Sequence, residues 1–240
     1  MESLSTRHQL TRLEAGKGRM TTRTVVIFSG GLDSTTLLYD LKSAGHEVAA
    51  LAVNYGQRHD CELLSAKAIC QSINVELITL ELKGLVQIFG HNSLSDANET
   101  VPTGTYEPDS MQQTTVPNRN MILLSLATGW AISNDYQAVA FGAHSGEYTP
   151  YPDCRPEFAA AMDDVAQLCD WQAVRILAPF VNWSKADIVR RGSELSVPFE
   201  ETWSCYVGGE KHCGRCGTCL DRKLAFETSG INDPTVYESE

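Results

Sequence analysis

The chain has 240 residues, 42% of them hydrophobic and 20% charged, which supports one sizeable core and excludes a disordered polymer. A net charge of −11 sets it against polynucleotide backbones, although local backbone dipoles can still favour a small anion. No run approaches the ~18 consecutive apolar residues that a membrane-spanning helix needs.

Residues 1–22 read as a mobile N-terminal extension. The stretch from Met1 to Met20 has no apolar core, carries Arg7, Arg12, Lys17 and Arg19, and shows no secretory signal. A reducing, cytoplasmic setting is therefore expected. Four of the eight cysteines crowd near the C-terminus, and in that setting clustered thiols more often bind metal than pair.

Strand then alternates with helix. Thr24–Phe28 is a β-branched apolar run suited to a strand buried on both faces. Ser34–Ala44 has a helical stripe of Leu37, Leu38 and Leu41, with Gly45 as its stop. Val48–Val53 predicts a second strand. Arg58–Ile73 predicts a second helix, with Leu63, Leu64, Ala68 and Ile69 inward, and Val75–Leu80 a third strand. Residues 84–116 lack a period, and a loop of that length in a compact domain is usually an active-site lid or a flap.

Regular pattern resumes with a helix over Asn118–Ser133 and a strand over Ala138–Phe141. A helix follows over Pro156–Cys169, then a strand over Val174–Leu177, a helix over Ser184–Arg191 and a last helix over Leu220–Thr228. Repeated crossovers imply an α/β fold: a Rossmann-like parallel five-stranded sheet, order 3-2-1-4-5, with helices on both faces. The expected division is an α/β domain over 23–200 and a small helical, cysteine-rich region over 201–240. Ligands of such sheets bind at the strands' carboxyl ends, where the winding reverses. That points to Ser29–Ser34, Asn54–Arg58 and Gly142–Arg155.

Ser29-Gly30-Gly31-Leu32-Asp33-Ser34-Thr35-Thr36 joins the first strand to its helix. Paired glycines let backbone N–H groups approach a ligand, and hydroxyls at a helix N-terminus favour an anion. An ordinary turn capped by Asp33 or Ser34 is the alternative. The segment lacks the Gly-Lys-Ser/Thr ending of a Walker loop and the spacing of a dinucleotide fingerprint. It resembles the PP-loop of the ATP pyrophosphatase superfamily, usually SGGxDS, whose enzymes cleave ATP between the α- and β-phosphates.

Further strings narrow the resemblance. They are Val53–His59, Val116–Asn120, Tyr151–Phe158, and Thr202–Tyr206 leading into Cys213–Cys219. Together they resemble the 7-cyano-7-deazaguanine synthase family of the queuosine pathway, over about Val25–Phe226. Leu32 stands where many members have Gln, and the first cysteine gap is seven where eight is also familiar. The resemblance implies an ATP-dependent carbon–nitrogen ligase acting on 7-carboxy-7-deazaguanine and ammonia. Its carboxylate is adenylated, ammonia gives an amide, and a second ATP converts the amide to a nitrile. It also implies a homodimer, with no nucleic-acid or membrane partner. A PP-loop tRNA-modifying enzyme of thiolase or lysidine-synthetase type is the alternative, and a non-catalytic zinc module a further rival.

The expected ATP contacts are Phe28, Ser29, Gly30, Gly31, Leu32, Asp33, Ser34, Thr35, Thr36, Leu37 and Leu38, with Asn54 and Gly142. Asp33 is expected to help hold Mg²⁺ on the phosphates, a task that suits a hard carboxylate oxygen. Lys185 is expected against the phosphates and Arg119 near the nucleotide, a helix-end lysine and a lid ion pair being the alternatives. Asp153 is assigned to the guanine-like edge of the substrate and Arg155 to a carboxylate or phosphate, a surface ion pair being the alternative. His144 is a weaker candidate base.

Cys205, Cys213, Cys216 and Cys219 follow a C-x7-C-x2-C-x2-C spacing suited to one tetrahedral Zn²⁺, with Gly214 and Gly217 permitting tight knuckles. An iron–sulfur cluster is the rival, without the usual spacing and without a redox step to serve. Cys61, Cys70 and Cys169 read as packing residues on helix faces.

Overall fold

The computed structural model describes residues 21–85, 87, 93–94, 100–105, 114–144 and 151–239. The expectations placed on residues 1–20, on most of 84–116 and on 145–150 lie outside them.

The described strands are β1 (Arg23–Ile27), β2 (Glu47–Asn54), β3 (Glu76–Glu81), β4 (Ala138–Ala140) and β5 (Arg175–Leu177). All pair in parallel, in the order β3-β2-β1-β4-β5. The described helices are α1 (Leu32–Ser43), α2 (Cys61–Ser72), α3 (Arg119–Ser133), α4 (Pro156–Ala166), α5 (Lys185–Glu194) and α6 (Gly217–Ser229). The strand order and the helix–strand alternation match the expectation from sequence, with boundaries moved by a few residues.

Period-two alternation splits the core into two layers. Val25, Ala49, Leu51 and Val139 face α3 and α4, among Leu124, Ala127, Ala131 and Met162. Val26, Ala50 and Ala140 face the opposite layer, where Leu37 and Leu38 of α1, Ile69 of α2, Ile188 of α5 and Phe226 of α6 pack. A right-handed crossover puts α1 and α2 on one face as the chain winds one way, and α3 and α4 on the other once it reverses. The reversal separates the loops leaving β1 and β4, and a cleft opens above them.

Two details correct the sequence reading. On α2 the buried face is Ala66, Ile69 and Cys70, whereas Leu64 and Ala68 are exposed. Both stripes have helical spacing; the small Ala66 turns inward because the loop after β1 presses on it. Cys169 is exposed, past the end of α4, and is not a packing residue.

Parts of the 84–116 segment are docked. Arg58 N donates to Leu94 O at 3.0 Å, and Gly104 N to Arg215 O at 2.9 Å. Buried Val101 packs among the four C-terminal cysteines.

Candidate active site

Gly30 adopts φ +81°, and a Cβ there would lie 2.5 Å from Ala66 N and Glu62 O, so only glycine lets the loop rest on the start of α2. Gly31 is the N-cap of α1. Hydroxyls brace the bend. Ser34 Oγ accepts from Ser29 N at 3.3 Å and donates to Gly31 O at 3.2 Å, while Thr35 Oγ1 donates to Gly31 O at 2.8 Å. The first intrahelical bond of α1 runs from Thr35 N to Gly31 O. The N–H groups of Leu32, Asp33 and Ser34 therefore precede the ladder, at the positive end of the helix dipole.

The chain leaving β4 crosses this turn closely: a Cβ on Gly142 would touch the backbone of Asp33 and Ser34 at 3.4 Å. Between the two loops lies a cavity of about 300 Å³.

Asp33, Lys185 and Asp221 form its charged floor. Lys185 Nζ stands 2.8 Å from Asp221 Oδ2 and 3.4 Å from Asp33 Oδ2, and His144 Nε2 is 3.6 Å from the same Asp33 oxygen. Burial pushes the Asp33 carboxyl up, but the Lys185 ammonium and His144 outweigh it and hold the group well below the usual carboxylate range. Burial likewise disfavours the Lys185 ammonium, and Asp221 and Asp33 more than restore it. Asp33 Oδ1 is buried and has no hydrogen-bond partner among the described residues.

The cavity is also lined by Glu62, Arg119, Asn120 and Cys154, and by Trp203 and Tyr206 of the cysteine-rich turn. Burial opposes the charge on Arg119, yet Tyr55, Tyr206 and Asp153 around it keep it firmly cationic. Burial pushes the Glu62 carboxyl up to about 7, against the opposing pull of Arg119. Asn120 joins this wall to the Tyr151–Phe158 segment: its backbone N donates to Asp153 Oδ2 at 3.3 Å and its Nδ2 to Asp153 O at 3.1 Å.

The remaining wall comes from the cysteine-rich turn. The ligand atoms of Cys205, Cys213, Cys216 and Cys219 lie within 4.8 Å of one another, all four residues are buried, and the group could hold a metal ion. The Cys213 and Cys219 sulfurs are 3.9 Å apart, close to the ~3.8 Å edge of a tetrahedron with metal–sulfur bonds of about 2.3 Å. Cys213 N and Cys216 N donate to Cys205 Sγ and Cys213 Sγ, at 3.4 and 3.3 Å, which turns those sulfurs inward. Gly214, at φ +71°, forms a knuckle; Gly217 instead opens α6 as an ordinary helical residue.

This turn is fastened to the β1 loop, since Trp203 N donates to Gly30 O at 3.0 Å. Arg222 of α6 is fully buried. It donates to Thr202 Oγ1 and Phe199 O at 2.8 Å each and to Ser204 Oγ at 3.1 Å. Arg222 thus ties α6 to the turn, and its Nε stands 3.5 Å from Asp233 Oδ1.

A family model described as queuosine biosynthesis protein QueC matches residues 23–230. The chain belongs to the QueC family. It is 48% identical over 219 residues to the 7-cyano-7-deazaguanine synthase of Pseudoalteromonas translucida, covering 91% of this chain and all of that one. It is 43% identical over 239 residues to the synthase of the same name from Chromohalobacter salexigens, covering 96% and 95%. Among solved structures, NMN synthetase from Francisella tularensis is similar at TM-score 0.50 and 16% identity, over 87% of this chain and 77% of that one, a likeness of fold alone.

In this QueC chain, Ser29, Gly31, Leu32, Asp33, Ser34, Gly142, Arg119 and Lys185 line the one cavity, as do His144 and Cys154. Gly30 lies behind the loop, against α2. Phe28, Thr35, Thr36, Leu37 and Leu38 are buried in or beside the core, outside the lining. Asn54 is buried below the cavity; it accepts from Gly56 N at 3.2 Å and donates to the Glu81 carboxylate. Asp153 and Arg155 are outside the lining too. The Asp153 carboxylate is turned to the N-terminus of α3, and Arg155 is the N-cap residue of α4.

Sequence reasoning missed Glu62, Asn120, Trp203, Tyr206, Thr218 and Asp221 as cavity residues. Asn120, Trp203 and Tyr206 fall inside the strings Val116–Asn120 and Thr202–Tyr206 without being singled out, and on α6 Thr218 and Asp221 sit three apart and share a face.

Proposed function

We propose that the chain is an ATP-dependent ligase that converts 7-carboxy-7-deazaguanine and ammonia to 7-cyano-7-deazaguanine, the product for which its relatives are named. The observation that carries this reading is the charged floor beside a hydroxyl-braced helix N-terminus: a buried carboxylate oxygen of Asp33 without a protein partner, next to the Lys185 ammonium. An anionic chain of phosphates with its cation suits that floor.

In this reading the triphosphate lies along Ser29–Ser34, its charge offset by the α1 N–H groups and by Lys185. Asp33 would hold Mg²⁺ through its unpartnered oxygen, and the ion would neutralise charge on the phosphates. The substrate carboxylate attacks the α-phosphorus and pyrophosphate leaves. The acyl-adenylate then meets ammonia, which displaces AMP and loses a proton, giving the amide. The amide oxygen attacks the α-phosphorus of a second ATP and pyrophosphate leaves; loss of AMP and two protons then gives the nitrile. A carboxylate oxygen leaves poorly and AMP leaves well, so the protein's work is alignment and charge stabilisation.

Arg119 is placed to receive the nucleotide or the carboxylate. Asp153, bonded to Asn120 N, supports that wall from behind, and Glu62 is the carboxyl on the Arg119 side of the cavity, able to accept from the N–H edge of a guanine-like ring. Zn²⁺ would be held by Cys205, Cys213, Cys216 and Cys219. With four thiolates it has no open position, and it would brace the turn that carries Trp203 and Asp221.

The test is mass spectrometry of the protein incubated with ATP, Mg²⁺, ammonium and 7-carboxy-7-deazaguanine. The nitrile should appear with AMP and pyrophosphate. Absence of product, or release of ADP and phosphate, rejects the assignment.

A further inference from the structure

We propose that Asp221 is a positioning residue that anchors Lys185, so that the helix leaving the cysteine turn sets the geometry of the phosphate floor. The inference rests on the ATP reading for its consequence, and on geometry alone for the anchoring.

Lys185 is the first residue of α5, and a capping box fixes that start: Ser184 Oγ accepts from Asp187 N at 3.2 Å while Asp187 Oδ2 accepts from Ser184 N at 3.0 Å. The backbone is therefore set, and the freedom lies in the four-carbon stem. Its side chain is only 12% exposed, and the ammonium sits nearer Asp221, at 2.8 Å, than Asp33, at 3.4 Å. Asp221 pairs with no other cation among the described residues.

A lysine held by Asp33 alone would swing onto that carboxylate and cover the oxygens left for a metal ion. Asp221 draws the ammonium to the other side and keeps it aimed across the floor. The anchor is itself stiff. Asp221 lies two residues past Cys219, and the next residue, Arg222, is bonded to Phe199, Thr202 and Ser204. Thr218, on the same face, donates to Ser204 O at 2.7 Å. A contact between α5 and α6, whose residues are far apart in the chain, thus joins the cysteine turn to the cavity.

The first experiment needs no ATP. Lys185 is labelled with an amine-reactive reagent in the metal-loaded protein and quantified by mass spectrometry, in parallel with Asp221→Asn and Asp221→Glu. Labelling should rise several-fold in Asp221→Asn and stay near the parent rate in Asp221→Glu, with metal content and melting temperature unchanged in both. Equal labelling in all three overturns the anchoring. The second is a double-mutant cycle on the affinity for Mg²⁺ and α,β-methylene-ATP. Asp221→Asn should weaken binding about tenfold in the parent and less than about twofold in Lys185→Met. Equal weakening in both backgrounds shows that Asp221 acts independently of Lys185 and overturns the proposal. Failure of the parent protein to bind the analogue would instead reject the ATP reading, and the labelling still decides the anchor.

Discussion

Glu62 opens the first turn of α2 with its carboxyl in the cavity and with Arg119 as its nearest countercharge. Its folded pKa of about 7 lies above the ordinary 4.5, so the fold favours the protonated form. That contribution is complete below about pH 4.5 and is lost as pH rises through about 7. The loss amounts to up to about 3 kcal/mol, at 1.36 kcal/mol per pK unit. Glu62→Gln keeps the shape and cannot ionise. Denaturant melts between pH 5 and 8 should therefore show the parent losing stability with rising pH and the variant losing clearly less. Parallel curves would remove Glu62 as a buried titrating group. The residue was not legible as a site in the sequence, because an acid in a helix's first turn is ordinary helix chemistry. Only the fold shows that this turn faces the β1 loop.

At the scale of elements, the loop after β1 rests directly on α2. Gly30→Ala would place a methyl 2.5 Å from two backbone atoms at a positive φ, whereas a Cβ on Gly31, at φ −78°, meets its nearest atoms at 3.2–3.3 Å. Gly30→Ala should cost about 3 kcal/mol and lower the melting temperature by about 10 °C, and Gly31→Ala clearly less. Equal shifts would contradict the close approach. Strands and helices were readable here because β-branched apolar runs and 3.6-residue stripes are local signals. The facing of α2 was not. Leu63 and Leu64 fit a helical stripe as well as Ala66, Ile69 and Cys70 do, and the choice is made by Gly30 pressing on Ala66. The expectations for Leu37 and Leu38 as ATP contacts have a similar limit: a motif marks a stretch of chain, and past its first turn α1 points those side chains into the core, while the Thr35 hydroxyl is taken up by Gly31 O.

For the whole molecule, the strand order alone points to the cavity between the β1 and β4 loops, since the reversal of winding is a property of topology. The cysteine spacing located the candidate metal cluster. That the cysteine turn also walls the cavity was not readable, because it depends on α6 docking against α5 and on the bond from Trp203 N to Gly30 O. Residues from both sides of the expected boundary at residue 200 line the cavity. Removing metal with a chelator should leave most of the helical circular dichroism, since most of the core is built by the sheet with α1 to α5. It should also speed labelling of Lys185 and abolish binding of the ATP analogue. Full analogue binding by the metal-free protein would separate the turn from the site.

The most direct test of carboxylate activation at the β1 loop follows the substrate's own oxygen. With 7-carboxy-7-deazaguanine labelled with ¹⁸O in both carboxylate positions, attack on the α-phosphorus transfers the label to AMP and leaves a nitrile free of oxygen. The predicted result is ¹⁸O in AMP and none in pyrophosphate. Unlabelled AMP, or label appearing in phosphate beside ADP, would contradict it.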